Sequence, residues 1–204
     1  MGFLSSSVSV TRYKVEGKVR EPFFDTIADG LKRDAIKDSD DGISVKRIGW
    51  TSFDRPFAPD FDGSSFVIGS NLVFSLRIDK KVIPQKIIKK YYSIEVSRQL
   101  TKSGRQYLMR DEKKLIKDKV MDTLILRIPA TPFIYDVIWD IDRSLLWFFS
   151  NLKSANEELE TLFSQSFNLS LIRLFPFTIG DLIIGLSNKD RDILSKLTST
   201  KFTA

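Results

Sequence analysis

Two prolines, Pro84 and Pro129, enclose the stretch that decides the fold, PQKIIKKYYSIEVSRQLTKSGRQYLMRDEKKLIKDKVMDTLILRIP. Pro84 suits the first position of a helix, and Gly104 suits the residue that ends one. Asp111-Glu112 favours the start of a second helix, because carboxylates stabilise helix N-termini, and this helix runs to about Arg127. The stretch therefore predicts a helical hairpin, in which two antiparallel helices are joined by a short glycine turn.

Each predicted helix has an apolar face and a basic surface. On the first helix, the face predicted to turn inward carries Ile87, Ile88, Tyr91 and Ile94. The opposite face carries Lys86, Lys89, Lys90, Ser93 and Ser97. On the second helix, the apolar stripe is Ile116, Val120 and Leu124. The adjacent basic stripe, spaced i, i+3, i+4 and i+7, is Arg110, Lys113, Lys114 and Lys117.

The positive charge of the chain is concentrated in this region. Between Arg77 and Lys119 there are fourteen Lys and Arg against five Asp and Glu, a net charge of about +9, whereas the whole chain carries +6. The remaining residues therefore sum to about −3. A basic segment on a nearly neutral body is typical of a surface that binds a polyanion, most commonly nucleic acid. Charge alone leaves open the alternative of a solvated, lysine-rich hairpin without a ligand.

Composition limits the chemistry that the chain can perform. The 204 residues include no Cys and no His, which excludes disulfides, thiolate chemistry, zinc sites built from Cys or His, and imidazole bases. Hydrophobic residues make up 42% of the chain, enough for a folded core. No apolar run approaches the roughly eighteen residues that a membrane helix needs. We therefore expect a cytoplasmic protein with no cofactor, no metal and no membrane contact.

Strands and one helix are predicted before the hairpin. Alternating side chains predict a strand over residues 3–15, and Pro22 begins a helix whose apolar positions extend from Phe23 to Ile36. The Asp, Ser and Gly residues of 38–42 predict a loop. Further strands are predicted over residues 45–50, 66–68 and 71–78, with an irregular segment over 55–65.

The chain after the hairpin completes an α+β pattern. Residues 133–141 and 145–150 predict two strands joined by a turn, followed by a helix that Ser154 caps and that runs to about Ser166. A strand over 169–177 precedes a last helix from about Asn188, whose inward residues are predicted to be Ile193, Leu194 and Leu197. The fold class is α+β, with mixed, mainly antiparallel sheets, packed helices and a projecting basic hairpin. Three parts are expected: an N-terminal α+β half (1–79), the hairpin arm (80–128), and a second α+β half (129–204).

The order of short motifs over residues 46–177 resembles the RdgC family of bacterial recombination-associated DNA-binding proteins. The motifs are Arg47-Ile-Gly-Trp50, Leu72-Val-Phe-Ser-Leu-Arg77, Lys81-Val-Ile-Pro84, Gly104-Arg105, Asp111-Glu-Lys113, Ile116-Lys-Asp-Lys-Val120 and Trp139-Asp-Ile-Asp142. An apolar return strand, a helix with Ala155, Glu157 and Glu158, and a strand ending near Pro176 follow. The resemblance rests on the order and similar gaps of these motifs, since no single one is specific.

The resemblance implies sequence-independent binding of duplex DNA by a ring-like homodimer. It also implies an influence on recombination or replication, by occupying DNA that the RecA recombinase would use, and association with the nucleoid. Longer family members continue beyond the last residue of this chain, so a short form lacking the C-terminal portion is expected. Ile128-Pro129 follows Arg127 where the family has an alanine and a phenylalanine near a dimer contact, which leaves ring closure open.

Nine basic residues of the hairpin are the candidates for DNA binding. They are Lys86, Lys89, Lys90, Lys102, Arg105, Arg110, Lys113, Lys114 and Lys117. Lys and Arg with few interleaved aromatic residues indicate phosphate contacts rather than readout of base edges. Tyr91 and Tyr92 could stack on bases, as in single-strand binders, but we expect Tyr91 to pack beneath the helix beside Ile87 and Ile88.

Two other functions stay open at this point. Asp136, Asp140 and Asp142 alternate along one predicted strand, so they point to one face, where carboxylates could hold Mg²⁺ for a nuclease. Asp is also a common turn residue, and we expect no catalysis. The hairpin could instead dock an acidic protein partner, as a scaffold module would. The residues expected to fill a core are Trp50, Trp139, Trp147, Phe148 and Phe149.

Overall fold

The structure, a computed structural model, describes residues 2–37 and 44–197. Its helices are α1 (Phe23–Arg33), α2 (Gln85–Ser103), α3 (Arg110–Arg127), α4 (Lys153–Phe167), α5 (Pro176–Ile179) and α6 (Asn188–Lys196). Its strands are β1 (Thr11–Glu16), β2 (Lys46–Thr51), β3 (Val67–Ile68), β4 (Asn71–Lys80), β5 (Thr131–Asp140), β6 (Leu145–Phe148) and β7 (Ser170–Arg173). A π-helical turn, Gly180–Ile184, precedes α6. The loop predicted over 38–42 lies outside the described residues.

The strands form a seven-stranded sheet in the order β2–β4–β5–β6–β1–β7, with β3 paired to β4. β1 lies between β6 and β7 and is antiparallel to both. β5 and β6 form an antiparallel hairpin in which Val137 is opposite Phe148, and β3 is antiparallel to β4. The α+β fold with a mainly antiparallel sheet is therefore confirmed.

The chain divides into two compact units. The first, which we call the aromatic unit, contains the described residues up to Ala35, then Trp50–Leu76 and the chain from Ile134 onward. The second, the hairpin unit, contains the described residues of Ile36–Gly49 together with Arg77–Phe133. Helices α2 and α3 lie wholly within the hairpin unit. The three-part division at residues 79 and 128 stays a prediction.

Aromatic rings fill the core of the aromatic unit. Trp50 and Phe163 are fully buried, and Trp139 and Phe167 are 3% and 5% exposed. The Phe163 and Phe167 ring centroids are 4.8 Å apart, and those of Trp139 and Phe163 are 5.1 Å apart. The indole Nε1 of Trp50 donates a hydrogen bond of 2.8 Å to Ser166 Oγ, so its one polar atom is satisfied inside the core. The core positions predicted for Trp50 and Trp139 are confirmed.

Gly30 lets α1 and α4 approach each other closely. A Cβ atom at this position would lie 2.8 Å from the Cε1 atom of Phe167 and 2.9 Å from the backbone oxygen of Ser166. Ile27 and Leu31, on the same side of α1, are fully buried. Any larger side chain would displace a core ring or the α4 backbone, which explains a glycine inside a helix despite its low helix propensity.

A partly buried polar network joins β1, α4 and β7. The hydroxyl of Tyr13 contacts Asn156 Oδ1 at 2.6 Å and Glu160 Oε1 at 2.9 Å. Arg173 Nε donates to the same Glu160 oxygen at 2.6 Å. Burial of the tyrosine, followed by its hydrogen bond to the Glu160 carboxylate, raises the pKa of Tyr13. The two buried members, Tyr13 and Asn156, are therefore paired, as buried polar groups require.

The N-terminal strand is shorter than predicted. It begins at Thr11 rather than at residue 3, because the ladder with β6 starts at Thr11 and the ladder with β7 starts at Tyr13. The chain before it packs differently, with the Phe3 ring against Phe53 and Phe149 at centroid distances of 4.9 and 5.7 Å. The N–H of Phe3 donates to Asp136 Oδ2 at 2.9 Å. Alternation of serine and valine in this segment therefore does not mark a strand.

The last predicted strand is also shorter, since β7 ends at Arg173 instead of continuing to residue 177. Pro176 has no N–H to donate to a ladder, and it begins the short helix α5. Thr178 Oγ1 accepts a hydrogen bond of 2.8 Å from the N–H of Phe175, which fixes the start of this helix. The proline therefore converts the end of the strand into a helical turn.

The predicted cap of α4 is wrong by two residues. The helix begins at Lys153 with Leu152 at the cap position, since the N–H of Asn156 donates to the Leu152 oxygen at 3.0 Å. Ser154 consequently lies inside the first turn of the helix rather than at its cap.

Helix α6 begins at Asn188 as predicted, and the side chain of Ser187 caps it. Its inward face is narrower than predicted, because Ile193 and Leu197 are 53% and 68% exposed. Leu194 is half-buried and is the residue of the predicted three that packs inward, near Gly180.

Candidate nucleic-acid interface

A small aliphatic core holds the two helices of the hairpin together. Ile116, Val120 and Leu124 of α3 are buried, which confirms the predicted apolar stripe. They pack with Ile88 of α2 and with Leu108 of the connecting segment. Leu108 is 5% exposed and lies between the helices, so helical periodicity gives no signal for its burial. The half-buried residues around this core are Ile83, Tyr92, Val96 and Leu100.

The inner face of α2 differs from the prediction. It is formed by Ile88, Tyr92, Val96 and Leu100, which repeat every four residues. The other predicted residues lie on the neighbouring face and are 37%, 41% and 53% exposed, namely Ile87, Tyr91 and Ile94. Apolar residues occupy two faces that are one residue, or about 100°, apart, and periodicity cannot choose between them. The packing expected for Tyr91 is therefore wrong, and Tyr92 packs in its place.

Gly104 and Glu112 build the turn of the hairpin. Gly104 ends α2 with a φ of +66°, a left-handed conformation that favours glycine. The Glu112 carboxylate accepts a hydrogen bond of 2.8 Å from the N–H of Met109, and Arg105 Nη2 lies 2.6 Å from it. The Met109 N–H and, after it, the Arg105 guanidinium lower the pKa of Glu112. Glu112 therefore both caps α3 and holds Arg105.

The structure places all nine predicted DNA-binding residues on the surface of the hairpin. Lys86, Lys89, Lys90 and Lys102 extend from α2, Arg105 lies in the turn, and Arg110, Lys113, Lys114 and Lys117 follow the first turns of α3. All nine are exposed. Among the described residues, Arg105 is the one member of the set that forms an ion pair, with Glu112. The other eight cations are available to a ligand.

Part of the basic segment is buried and does not belong to this surface. Arg77 and Asp79 on β4 form a buried ion pair, with Arg77 Nε 2.8 Å from Asp79 Oδ1 and Nη2 2.8 Å from Oδ2. Lys81 is 7% exposed, and its ammonium donates to the backbone oxygen of Ile125 at 2.9 Å. A cation at the C-terminal end of α3 is favourably placed in the field of that helix. Both cations contribute to the net charge of about +9 between Arg77 and Lys119, because a charge count from the sequence does not report burial.

The three aspartates considered as metal ligands have other surroundings. Asp136 is 7% exposed and accepts hydrogen bonds of 2.9 Å from Ser75 Oγ and from the Phe3 N–H. Asp140 is 5% exposed and accepts from the N–H of Arg143 at 3.0 Å. Asp142 is exposed and lies beyond the end of β5. Within residues 2–37 and 44–197, no group of three acidic side chains is placed to hold a metal ion.

The fold and the hairpin surface define an α+β protein with a mainly antiparallel sheet and an exposed array of cations on two packed helices. None of the helices in the described part of the chain has the length and apolar character of a membrane span. The family model described as "Putative exonuclease, RdgC" matches residues 9–177. Because this match covers most of the chain, the protein belongs to the RdgC family. No curated protein matches the chain.

Proposed function

We propose that this protein binds DNA without sequence specificity through the hairpin surface and that it catalyses no reaction. The observation that carries this proposal is the set of eight exposed cations on α2 and α3 that form no ion pair among the described residues. Flexible ammonium groups on a helical surface suit phosphates, which all sequences share. Membership of the RdgC family, which the sequence motifs identify with recombination-associated DNA-binding proteins, also supports DNA as the ligand.

The finer parts of the proposal follow from this chemistry and from the family resemblance. Duplex DNA is the proposed ligand, because phosphates on both strands give the highest density of negative charge. We also propose a homodimer that influences recombination or replication by occupying DNA, and a cytoplasmic, nucleoid-associated location. Salt should weaken binding steeply, by about 0.9 in log K per phosphate contact for each tenfold rise in salt.

The decisive experiment reverses the charge of the basic stripe on α3. Lys113, Lys114 and Lys117 are exposed and lie off the Ile116 side of the helix, so their change to Glu should leave the fold intact. Binding of random-sequence duplex, measured by anisotropy over a salt series, should weaken by at least tenfold with a shallower salt slope. Surface substitutions of this kind change stability by less than about 0.5 kcal/mol each.

A matched control carries the same change of net charge elsewhere. Lys18, Lys189 and Lys196 are exposed residues of the aromatic unit, and their joint change to Glu should weaken binding far less. Equal losses in the two triple variants would mean that net charge rather than the hairpin surface governs binding. An undetectable complex between the unmodified protein and duplex at low salt would reject DNA binding and favour the scaffold alternative.

The family description supplies a second candidate function, since it names an exonuclease. Such an activity would shorten linear duplex over time when Mg²⁺ or Mn²⁺ is added, whereas the proposed binding protein leaves its length unchanged. Asp140→Asn is the matched variant, because this buried carboxylate accepts from Arg143 and lies on the strand that carries the acidic residues. Shortening that disappears in Asp140→Asn would establish catalysis and overturn the proposal of binding alone.

A further inference from the structure

An open groove runs between the two helices of the hairpin and is separate from the basic stripe of α3. From α2, Tyr91, Ile94 and Glu95 line it, and from α3, Lys119, Thr123 and Arg127 line it. All of these residues belong to the hairpin unit. The groove thus combines an aromatic ring, aliphatic carbon, one carboxylate and two cations within a single concavity.

Tyr91 provides a flat ring that is accessible to a ligand. It is 41% exposed, and Ile94 one turn further on is 53% exposed, so this apolar strip has no cover among the described residues. The ammonium of Lys90 lies 5.8 Å from the centroid of the Tyr91 ring. An exposed aromatic ring beside cations is the arrangement on which single-strand binders stack unpaired bases while the cations hold phosphates.

The charges of the groove agree with that occupant. Lys119 and Arg127 are the two cations that line the concavity, Lys90 lies beside the Tyr91 ring, and Glu95 is the one acidic residue among the lining residues. Phosphates would contact the cations and avoid Glu95. The Glu95 carboxylate accepts a hydrogen bond of 3.3 Å from Gln99 Nε2 and lies 3.8 Å from Arg98 Nη1, and its remaining lone pairs can accept from a base edge. A carboxylate accepts hydrogen bonds from the exocyclic amines of bases, such as the N4 amine of cytosine. Thymine has no such amine, so the groove should favour cytosine over thymine.

We propose that this groove binds an unpaired nucleobase of DNA by stacking it on Tyr91, with Glu95 accepting from its exocyclic amine. The inference rests on the proposed DNA binding and refines it. Bases in an intact duplex are stacked and cannot enter the groove, so a duplex contacts the cations of the hairpin surface alone. DNA with an unpaired segment engages both surfaces.

The experiment compares one duplex with single strands of oligo-dC and oligo-dT of equal length, using the whole protein. Tyr91→Ala should weaken oligo-dC binding by about fivefold to 100-fold, because stacking on an aromatic side chain contributes about 1 to 3 kcal/mol per base. Duplex binding should change by less than about twofold. Tyr91→Phe should retain binding, whereas Tyr91→Leu, which keeps the apolar volume, should not. Tyr107→Ala is the matched control, since Tyr107 is 73% exposed and lies outside the groove.

The outcomes separate this inference from the proposed function. Normal duplex binding with no loss of oligo-dC binding in Tyr91→Ala would overturn the groove inference and leave the function intact. Equal loss of duplex and oligo-dC binding in Tyr91→Ala would also overturn the groove inference. Unchanged oligo-dC binding by Tyr91→Leu would overturn it as well. A changed molecular mass of Tyr91→Ala in solution would assign the groove to a contact between copies instead. Glu95→Gln should abolish the preference for dC over dT, and an unchanged preference would reject the role of Glu95.

Discussion

The aromatic unit and the hairpin unit each have a core of their own, and the two cores differ in size and chemistry. In the first, Trp50 and Phe163 are fully buried and contact further rings. In the second, the cluster that packs α2 against α3 consists of five aliphatic side chains, each 5% to 8% exposed. Each buried aromatic side chain removes about 150 to 250 Å² from water. The comparison indicates that most of the stability lies in the aromatic unit, while the hairpin unit supports a charged surface on a thin core.

The largest effect should come from emptying the aromatic core. Phe163→Ala removes a fully buried ring that contacts Trp139 and Phe167, and it should lower the free energy of unfolding by about 3 to 5 kcal/mol. Urea unfolding followed by tryptophan fluorescence measures this loss. Phe175→Ala is the control, because Phe175 is 53% exposed and its removal should cost much less. Similar losses in both variants would contradict the importance of the ring cluster.

A smaller and more local effect should come from the hairpin core. Leu108→Ala should destabilise the hairpin by about 2 to 4 kcal/mol, because it leaves a cavity between the connection and both helices. Hydrogen exchange should speed up for amides of α2 and α3, while amides of α4 keep their protection. Leu115→Ala, at a residue 70% exposed on α3, should change neither. Equal acceleration in α4 would show that the two units unfold together.

Overpacking between α1 and α4 should have an intermediate to small effect. Gly30→Ala places a methyl group against Phe167 and the backbone oxygen of Ser166, and the expected cost is about 1 to 3 kcal/mol. Alanine also improves helix propensity over glycine by about 1 kcal/mol, which offsets part of this cost, and Asp29→Ala, at an exposed neighbour, is the control for an alanine on α1 without a core contact. Thermal melting compares the two. A higher melting temperature for Gly30→Ala would show that α4 can move aside.

The smallest effect concerns the pH dependence of the hairpin turn. Because the pKa of Glu112 is lower in the folded protein, its contribution to stability is present above its ordinary pKa of about 4.3 and is lost as pH falls through the lowered value. Glu112→Gln should therefore melt at a lower temperature than the unmodified protein at pH 7. The two melting temperatures should converge once the pH has fallen below the lowered pKa of Glu112. Glu157→Gln, which alters an exposed carboxylate of α4, is the control, and a difference that persists in acid would refute this origin.

The elements with strong local signals could be predicted from the sequence. Pro84 and Gly104 mark the ends of α2 in the structure, and the Ile116, Val120 and Leu124 stripe of α3 is buried as expected. These predictions succeed because proline, glycine and helical spacing act within a few residues of the chain. The nine predicted cations are all exposed, and for the eight on α2 and α3 the reason is that the charged face of an amphipathic helix turns to solvent.

Features that depend on distant parts of the chain could not be predicted. The inner face of α2 is chosen by contact with α3, so its own periodicity favoured the wrong side. The segment around Phe3 leaves the sheet because Phe53, Phe149 and Asp136 offer it other contacts. Burial of Lys81 depends on the carbonyl of Ile125, 44 residues away, which no local pattern shows. The sequence also contains no sign of the groove at Tyr91, because the predicted inner face of α2 placed this tyrosine in the core.

The contact between Lys81 and Ile125 determines the direction in which the hairpin comes apart. The strand residue that leads into α2 is joined to the last turn of α3, and the N–H of Lys81 also donates to Val45 at 3.0 Å. Separating the helices at this end would strip a buried ammonium of a partner, which is costly. At the other end, the contacts of Glu112 with Arg105 and with the Met109 N–H are partly exposed to solvent, so thermal fraying should begin at the turn and progress toward the base.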